Sequence, residues 1–550
     1  MSSHRSSGAR AAWAPVWMIA AAAGWGCSKL WPSGQMDQGT VDCMIAAGLF
    51  VVAFRCFFIG LERWDFAAEM RGLRKLSKEP SRVHGEAKWG TAKEAKELGM
   101  FEEGGVFLGE LDGKSISYPG STHTTTIASS GTGKGVNIVI PNVLTCAGSQ
   151  IVIDVKGELA AVCANSLRKT HDVVVLNPFR EKMERELGVD LGDTRYNPLS
   201  LLQPGPEVKD EAELLASLLI PKQPGMSESE SYWSDLGQTI LSGVMLHLVS
   251  EADGEEITLP QLRRTLMVPA AELEELLAGM ATSPAFGGLV AEYGGRFAAM
   301  LENSPKELSG GLGTAQKALR IYDSFGPLGA HVSGNEFDFS VLKKRPTTVF
   351  IVCPSDRETH TAWMNLVIST AIEVVARDRS TKPVMFVLDE FANLGFIPGL
   401  LRAMALSRSA GLRFHLVLQQ LSQVQRIYKD GWKEIVGLSE CINTFGIWEP
   451  ETLKFLSEWV GQETTRDVSY NARAGEQFDG LQDASVSSAD RARSLIRPEE
   501  IRTLPKEMSL VFYRNAPPFQ VTLRSYLETR KLLKLADPNP YHRREANVAV

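Results

Sequence analysis

Cysteine is scarce in this chain. The seven residues, Cys27, Cys43, Cys56, Cys146, Cys163, Cys353 and Cys441, lie far apart among 550 positions, with no CxxC pair and no histidine cluster at ligand spacing. A disulfide framework and a structural zinc site are thereby excluded, and reduced thiols are expected. Strong charge of either sign is also missing. The balance of 58 Lys+Arg against 65 Asp+Glu leaves −7, so nucleic acid cannot wrap the whole surface and any DNA contact is local. No internal repeat is evident. Hydrophobic residues at 44% and charged residues at 22% exclude a disordered chain or a coiled coil. At about 150 residues per domain, the length predicts three or four units.

Long apolar runs are confined to the start. Residues 11–27 and 43–61 are apolar enough to predict two membrane-spanning helices, at about 11–31 and 41–61. Trp13, Trp17, Trp31 and Trp64 lie near their ends, where amphipathic rings favour the headgroup layer. Arg5 and Arg10 precede the pair, and Arg63, Arg71, Arg74, Lys75 and Lys78 come after it, while the short connection carries only Lys29 and Asp37. Positive-inside logic puts both ends in the cytosol and makes residues 1–65 a membrane anchor. A cleaved signal peptide is the alternative for the first run.

Beyond the anchor the chain reads as α/β. The β-branched stretch Thr122 to Ala128 leads into Ser129-Ser-Gly-Thr-Gly-Lys-Gly135 and then an apolar helix bent at Pro141. Apolar runs at 149–155, 172–178, 347–354, 383–390, 412–420 and 442–448 predict buried parallel strands. Between 207 and 334 that texture gives way to helical periodicity, as in Glu211–Leu219 and Ser234–Ser250. This all-α insert carries 8 Lys+Arg against 18 Asp+Glu, net −10, leaving the remainder at +3. It divides a nucleotide-binding domain into parts at 66–206 and 335–550. Residues 466–494, rich in Ser, Asp, Ala and Gly, are expected to form a flexible surface segment.

The chemistry concentrates at two strand ends. At a strand-to-helix turn, Ser130, Gly131, Thr132, Gly133, Lys134, Gly135 and Val136 form a candidate phosphate cradle. Glycines turn backbone N–H groups toward an anion, the helix N-terminus adds its dipole, and Lys134 reaches the β- and γ-phosphates. The loop departs from GxxxxGK[ST], with Ala128 for the first glycine and Gly135 for the hydroxyl residue that touches Mg²⁺. Thr132 or water is the candidate substitute. The run Pro383 to Glu390 delivers Asp389 and Glu390 to the carboxyl end of a strand, where open α/β sheets bind ligands. Asp389 is expected to hold Mg²⁺ through water, and Glu390 to polarise the attacking water. Gln419, ending another strand, is a candidate γ-phosphate sensor. Arg408 is a candidate trans-acting arginine finger, with Arg402 and Arg413 in competition.

These residues, in this order, resemble the type IV coupling proteins, the TraG-type ATPases of conjugation and type IV secretion. The likeness rests on His84–Glu94, Gly131–Leu144, Asp154–Leu159, Arg195–Ser200, Leu388–Pro398 and Leu418–Tyr428. It implies a hexameric RecA-like P-loop ATPase under the inner membrane, using ATP and Mg²⁺. The resemblance makes Lys134 the P-loop lysine, Asp389 and Glu390 the Walker B acids, Gln419 the motif glutamine and Arg408 the trans arginine. Implied partners are a relaxase with single-stranded DNA, or basic effector proteins, together with the secretion-channel ATPases and inner-membrane scaffold. The acidic insert is expected to dock basic protein signals, because net −10 repels a phosphate backbone. The rivals are an effector-only transporter and a non-hydrolysing docking adaptor.

Overall fold

The computed structural model describes residues 83–354, 356, 361–380, 382–471 and 485–542, with isolated positions at 39, 45, 48, 49 and 52. The two expected spanning segments lie outside the described residues except at those positions. Among the described residues no helix is long and apolar enough to cross a membrane.

The chain divides into two units. The larger, Gly85–Glu463 with Arg493–Val550, is built on strands β1 (Val106–Leu111), β2 (Lys114–Tyr118), β3 (His123–Ala128), β4 (Ser149–Asp154), β5 (Asp172–Leu176), β6 (Thr347–Val352), β7 (Val384–Leu388), β8 (Leu412–Leu418) and β9 (Ser439–Phe445). After β10 (Gln462–Asn471) and β11 (Ser485–Ser494), the chain returns as β12 (Met508–Tyr513) and β13 (Phe519–Thr522). One eleven-stranded sheet results, in the order β2-β1-β13-β12-β9-β3-β8-β7-β4-β6-β5.

From β9 to β5 every pairing is parallel, and from β12 outward every pairing is antiparallel. The division has its origin in the sequence. Strands β3, β4 and β6 are buried at every position, so both faces are covered by helices and polar alternation has no place in them. Strand β2 exposes Lys114 and Ser115 and alternates, which suits an edge. The six apolar runs in the sequence supply β4 to β9.

Between β5 and β6 the described chain forms helices only, the longest being Glu228–Glu251 and Ala285–Asn303. Ser227 opens the first with a reciprocal capping box to Glu230. Leu215, Ile240, Val244, Phe297 and Leu308 meet in a buried core continuous with that of the sheet. The helix Val208–Leu219 is tied to the helix Thr361–Arg377 through the bidentate pair of Arg377 with buried Glu211, at 2.5 and 3.0 Å.

The smaller unit, Met1–His84 with Thr464–Ala492, holds most of β10 and β11, which pair with each other. A flexible segment was the expectation for 466–494, and at its two ends the structure has paired strands instead. Arg466 bonds Asp490 at 2.9 Å, and Arg491 lies 3.2 Å from Asp467. Cross-strand charge pairs stabilise such a ribbon without apolar alternation, so a search for hydrophobic pattern passes over it.

Candidate functional site

The loop after β3 is shaped by two glycines. Gly131 and Gly133 take φ of +75° and +83°, a region costly for residues with a Cβ. A Cβ on Gly133 would also stand 2.8 Å from Asn137 Nδ2. Lys134 comes next, at the start of the helix. The first turn, Gly135–Val139, is widened to the π form, with Ile140 N–H bonded to the Gly135 carbonyl. Pro141 explains the widening, because its ring crowds the carbonyl four residues back in a regular α-helix. Asn142 then pins this helix to β1: its amide donates to the Phe107 carbonyl at 3.0 Å and accepts from Phe107 N–H at 2.6 Å.

Strand β7 lies two places from β3, with β8 between them. Its end carries Asp389 and Glu390, and the end of β8 carries Gln419. Three of the expected residues converge here. Lys134 Nζ forms a close ion pair with Glu390 Oε1, and Gln419 Nε2 donates to Glu390 Oε2 at 2.6 Å. The pair's side chains are only 13% and 11% exposed, so solvent screens it little. Glu390 has φ of +52°, an uncommon conformation for a non-glycine residue and a common feature of functional turns.

Asp389 accepts the Glu390 N–H at 3.0 Å. Desolvation pushes its pKa up to about 6, against the nearby Lys134 charge and with the Glu390 charge adding to the rise. On the neighbouring strand β4, buried Asp154 is pushed up to about 7, chiefly by desolvation. Its carboxylate accepts the N–H groups of Ala160 at 2.8 Å and Lys156 at 3.3 Å, holding the start of the helix Glu158–Leu167.

The other expected residues divide. The Thr132 hydroxyl donates to the Ser129 carbonyl at 2.7 Å, within its own loop. Arg408 falls in the helix Leu400–Ala410, and its side chain lies outside the described residues. Arg402, in the same helix, is exposed. Arg413 begins β8 at the opposite edge of the sheet from Gln419 and lines a cavity there.

Two supports escaped the sequence reading. Gly446, just after β9, has φ of +59°, and a Cβ there would lie 2.4 Å from Thr132 Cγ2; a glycine ending an apolar run was the only signal. The C-terminal segment crosses the cradle's helix, with Tyr526 N–H bonded to the Val136 carbonyl at 3.0 Å and Tyr541 Oη to the Lys156 carbonyl at 3.1 Å. No local pattern announces that return.

The cradle fits a nucleotide polyphosphate: a left-handed glycine pair, a lysine at the helix start and a glutamine converge beside two acids. It also fits a divalent cation that brings its own oxygen ligands. Among the described residues no three acids, histidines or cysteines form a metal-binding cluster. Phosphate oxygens and waters would therefore make up the shell, with Asp389 holding one of those waters.

Comparison with known proteins bears on the family and the fold. The family described as "Type IV secretory system Conjugative DNA transfer" matches residues 67–544. A conjugal transfer protein TraG of Escherichia coli is 26% identical over 466 residues, 77% of this chain and 71% of that one. A VirD4 protein of Rhizobium radiobacter is 24% identical over 481 residues, covering 82% of this chain and 65% of its own length. Among solved structures, the plasmid coupling protein TrwB in complex with ADP and Mg²⁺ superposes with a TM-score of 0.59 at 16% identity, over 80% of this chain and 94% of that one. The large mixed sheet is the fold shared with that structure.

Proposed function

The chain belongs to the type IV secretory system conjugative DNA transfer family and is a type IV coupling protein, and from that premise we propose that it is an ATP-hydrolysing motor at the inner membrane. As a hexamer it passes relaxase-bound single-stranded DNA, or protein cargo, to the secretion channel. The observation that carries this reading is the convergence of Lys134 and Gln419 on Glu390. Three separate stretches of sequence meet at one carboxylate beside a phosphate cradle.

Lys134 and Gln419 both hold Glu390. A triphosphate in the cradle draws Lys134 to the β- and γ-phosphate oxygens, whose charge exceeds that of one carboxylate. Glu390 is then free to accept a hydrogen bond from the attacking water and orient it. Gln419, still in reach of Glu390, reports the γ-phosphate to β8. Asp389 would hold a divalent cation through water, and the cation would supply neutralisation of the charge developing on the phosphates. Arg408 of a neighbouring subunit is the proposed arginine finger.

The insert supports cargo docking by charge. Glu272, Glu274 and Glu275 lie exposed on the helix Ala270–Ala281, a surface suited to a basic protein segment and unsuited to a bare phosphate backbone. The membrane anchor at 1–65 belongs to the same proposal, as do the nucleotide-binding parts at 66–206 and 335–550.

Lys134→Ala tests the motor. Loss of cargo transfer and of ATP hydrolysis, with assembly at the membrane preserved, is expected. Unchanged transfer would favour the docking adaptor.

A further inference from the structure

At the amino ends of the parallel strands, opposite the nucleotide cradle, the sheet and the helix Ile140–Thr145 enclose a cavity of about 200 Å³. Its lining is polar in an unusual way. The guanidinium of Arg413, half-buried at the start of β8, has no hydrogen-bond or ion-pair partner among the described residues. Gln150, fully buried at the start of β4, donates its amide to the Val143 carbonyl at 3.0 Å, but its Oε1 has no partner. The remaining titratable groups lining the cavity do not answer the guanidinium. Burial pushes the Cys146 thiol and the Tyr118 phenol up and the His415 imidazole down to about 4, so all three are uncharged near neutrality. Glu440, behind them, is held by the Tyr118 and Thr122 hydroxyls.

A guanidinium half withdrawn from water without a counter-charge is costly, and a fully buried carbonyl oxygen without a donor is costlier. Both costs fall at one cavity, and one ligand relieves both. We propose that this cavity is a binding site for a small oxyanion that also carries an O–H donor, of the phosphate or phosphomonoester class. Arg413 takes the anionic oxygens in its planar fork, and Gln150 Oε1 accepts the O–H. The site lies on the same strand β8 whose other end places Gln419 against Glu390. An occupant here is therefore positioned to bear on the strand that meets the nucleotide site.

The test uses the full-length chain carrying Lys134→Ala, which removes the main cation of the phosphate cradle. Inorganic phosphate and, separately, glycerol phosphate are titrated while the melting temperature is followed. A saturable rise with either probe is expected, and the probe with the lower midpoint tells free phosphate from phosphomonoester. Adding Arg413→Gln should weaken the response by about tenfold or more. No response in the Lys134→Ala chain, or an equal response after Arg413→Gln, overturns the proposal. Arg413→Gln alone, without anion, should melt no lower than the parent, since an unpaired cation is being removed; a marked fall would assign Arg413 a structural duty and overturn it too. Cys146 gives a second readout from the same cavity, and phosphate should slow its alkylation by a small thiol reagent.

Discussion

The two ends of the parallel strands are electrostatic opposites. At the carboxyl ends acids lie buried: desolvation above all pushes Asp389 and Asp154 up to about 6 and about 7, while Lys134 is engaged by Glu390. At the amino ends a guanidinium stands beside a cavity with no carboxylate bonded to it. Neither arrangement favours stability, and each is relieved by a ligand: at one end a divalent cation that answers the acids together with the polyphosphate that answers Lys134, and at the other an oxyanion. Charge placement in this fold serves binding rather than folding.

The largest effect that separates the two ends comes from Glu390→Gln. Steady-state ATP hydrolysis should fall about 10²- to 10⁴-fold, while ATP binding is kept or tightened because Lys134 loses its competing carboxylate. Equal loss of binding and turnover would mean that Glu390 builds the cradle rather than orienting water.

A smaller loss is expected from Gly446→Val. The new side chain meets Thr132 in a backbone conformation of φ +59°, and the cradle must shift. Nucleotide affinity should drop about tenfold, with a destabilisation of about 1–3 kcal/mol, read by calorimetry and thermal melting. Unchanged affinity would mean that the approach of β9 to the loop does not shape the cradle.

The smallest effect is in pH. Asp154 has a folded pKa raised from 3.8 to about 7, so the folded state holds its proton more tightly than the unfolded chain. Its contribution is fully present below about pH 4 and is lost as pH rises toward about 7. Asp154→Asn removes that slope, and its melting temperature should gain on the parent by a few degrees across the window. A constant difference would place the excess negative charge elsewhere.

Much of the parallel block was legible because burial on both faces forces continuous apolar runs, which reveal β4 to β9 directly. The antiparallel flank was not. Strands such as β2 and β13 are short and partly polar, and their place depends on a chain return from beyond residue 500. The cradle, Asp389, Glu390 and Gln419 were readable from glycine spacing and strand-end position. The raised carboxyl of Asp154 and the closeness of Gly446 to Thr132 were not, because each depends on which strands become neighbours. The polar ribbon β10–β11 shows the same limit, since its pairing lies in charges opposed across strands.

The central claim is that Asp389 and the phosphate cradle serve one magnesium-bound nucleotide. It is tested most directly by ATP affinity with and without Mg²⁺ in the parent and in Asp389→Asn. The parent should bind more tightly with Mg²⁺, and Asp389→Asn should lose that gain while keeping its magnesium-free affinity. An undiminished magnesium effect in Asp389→Asn would contradict the account.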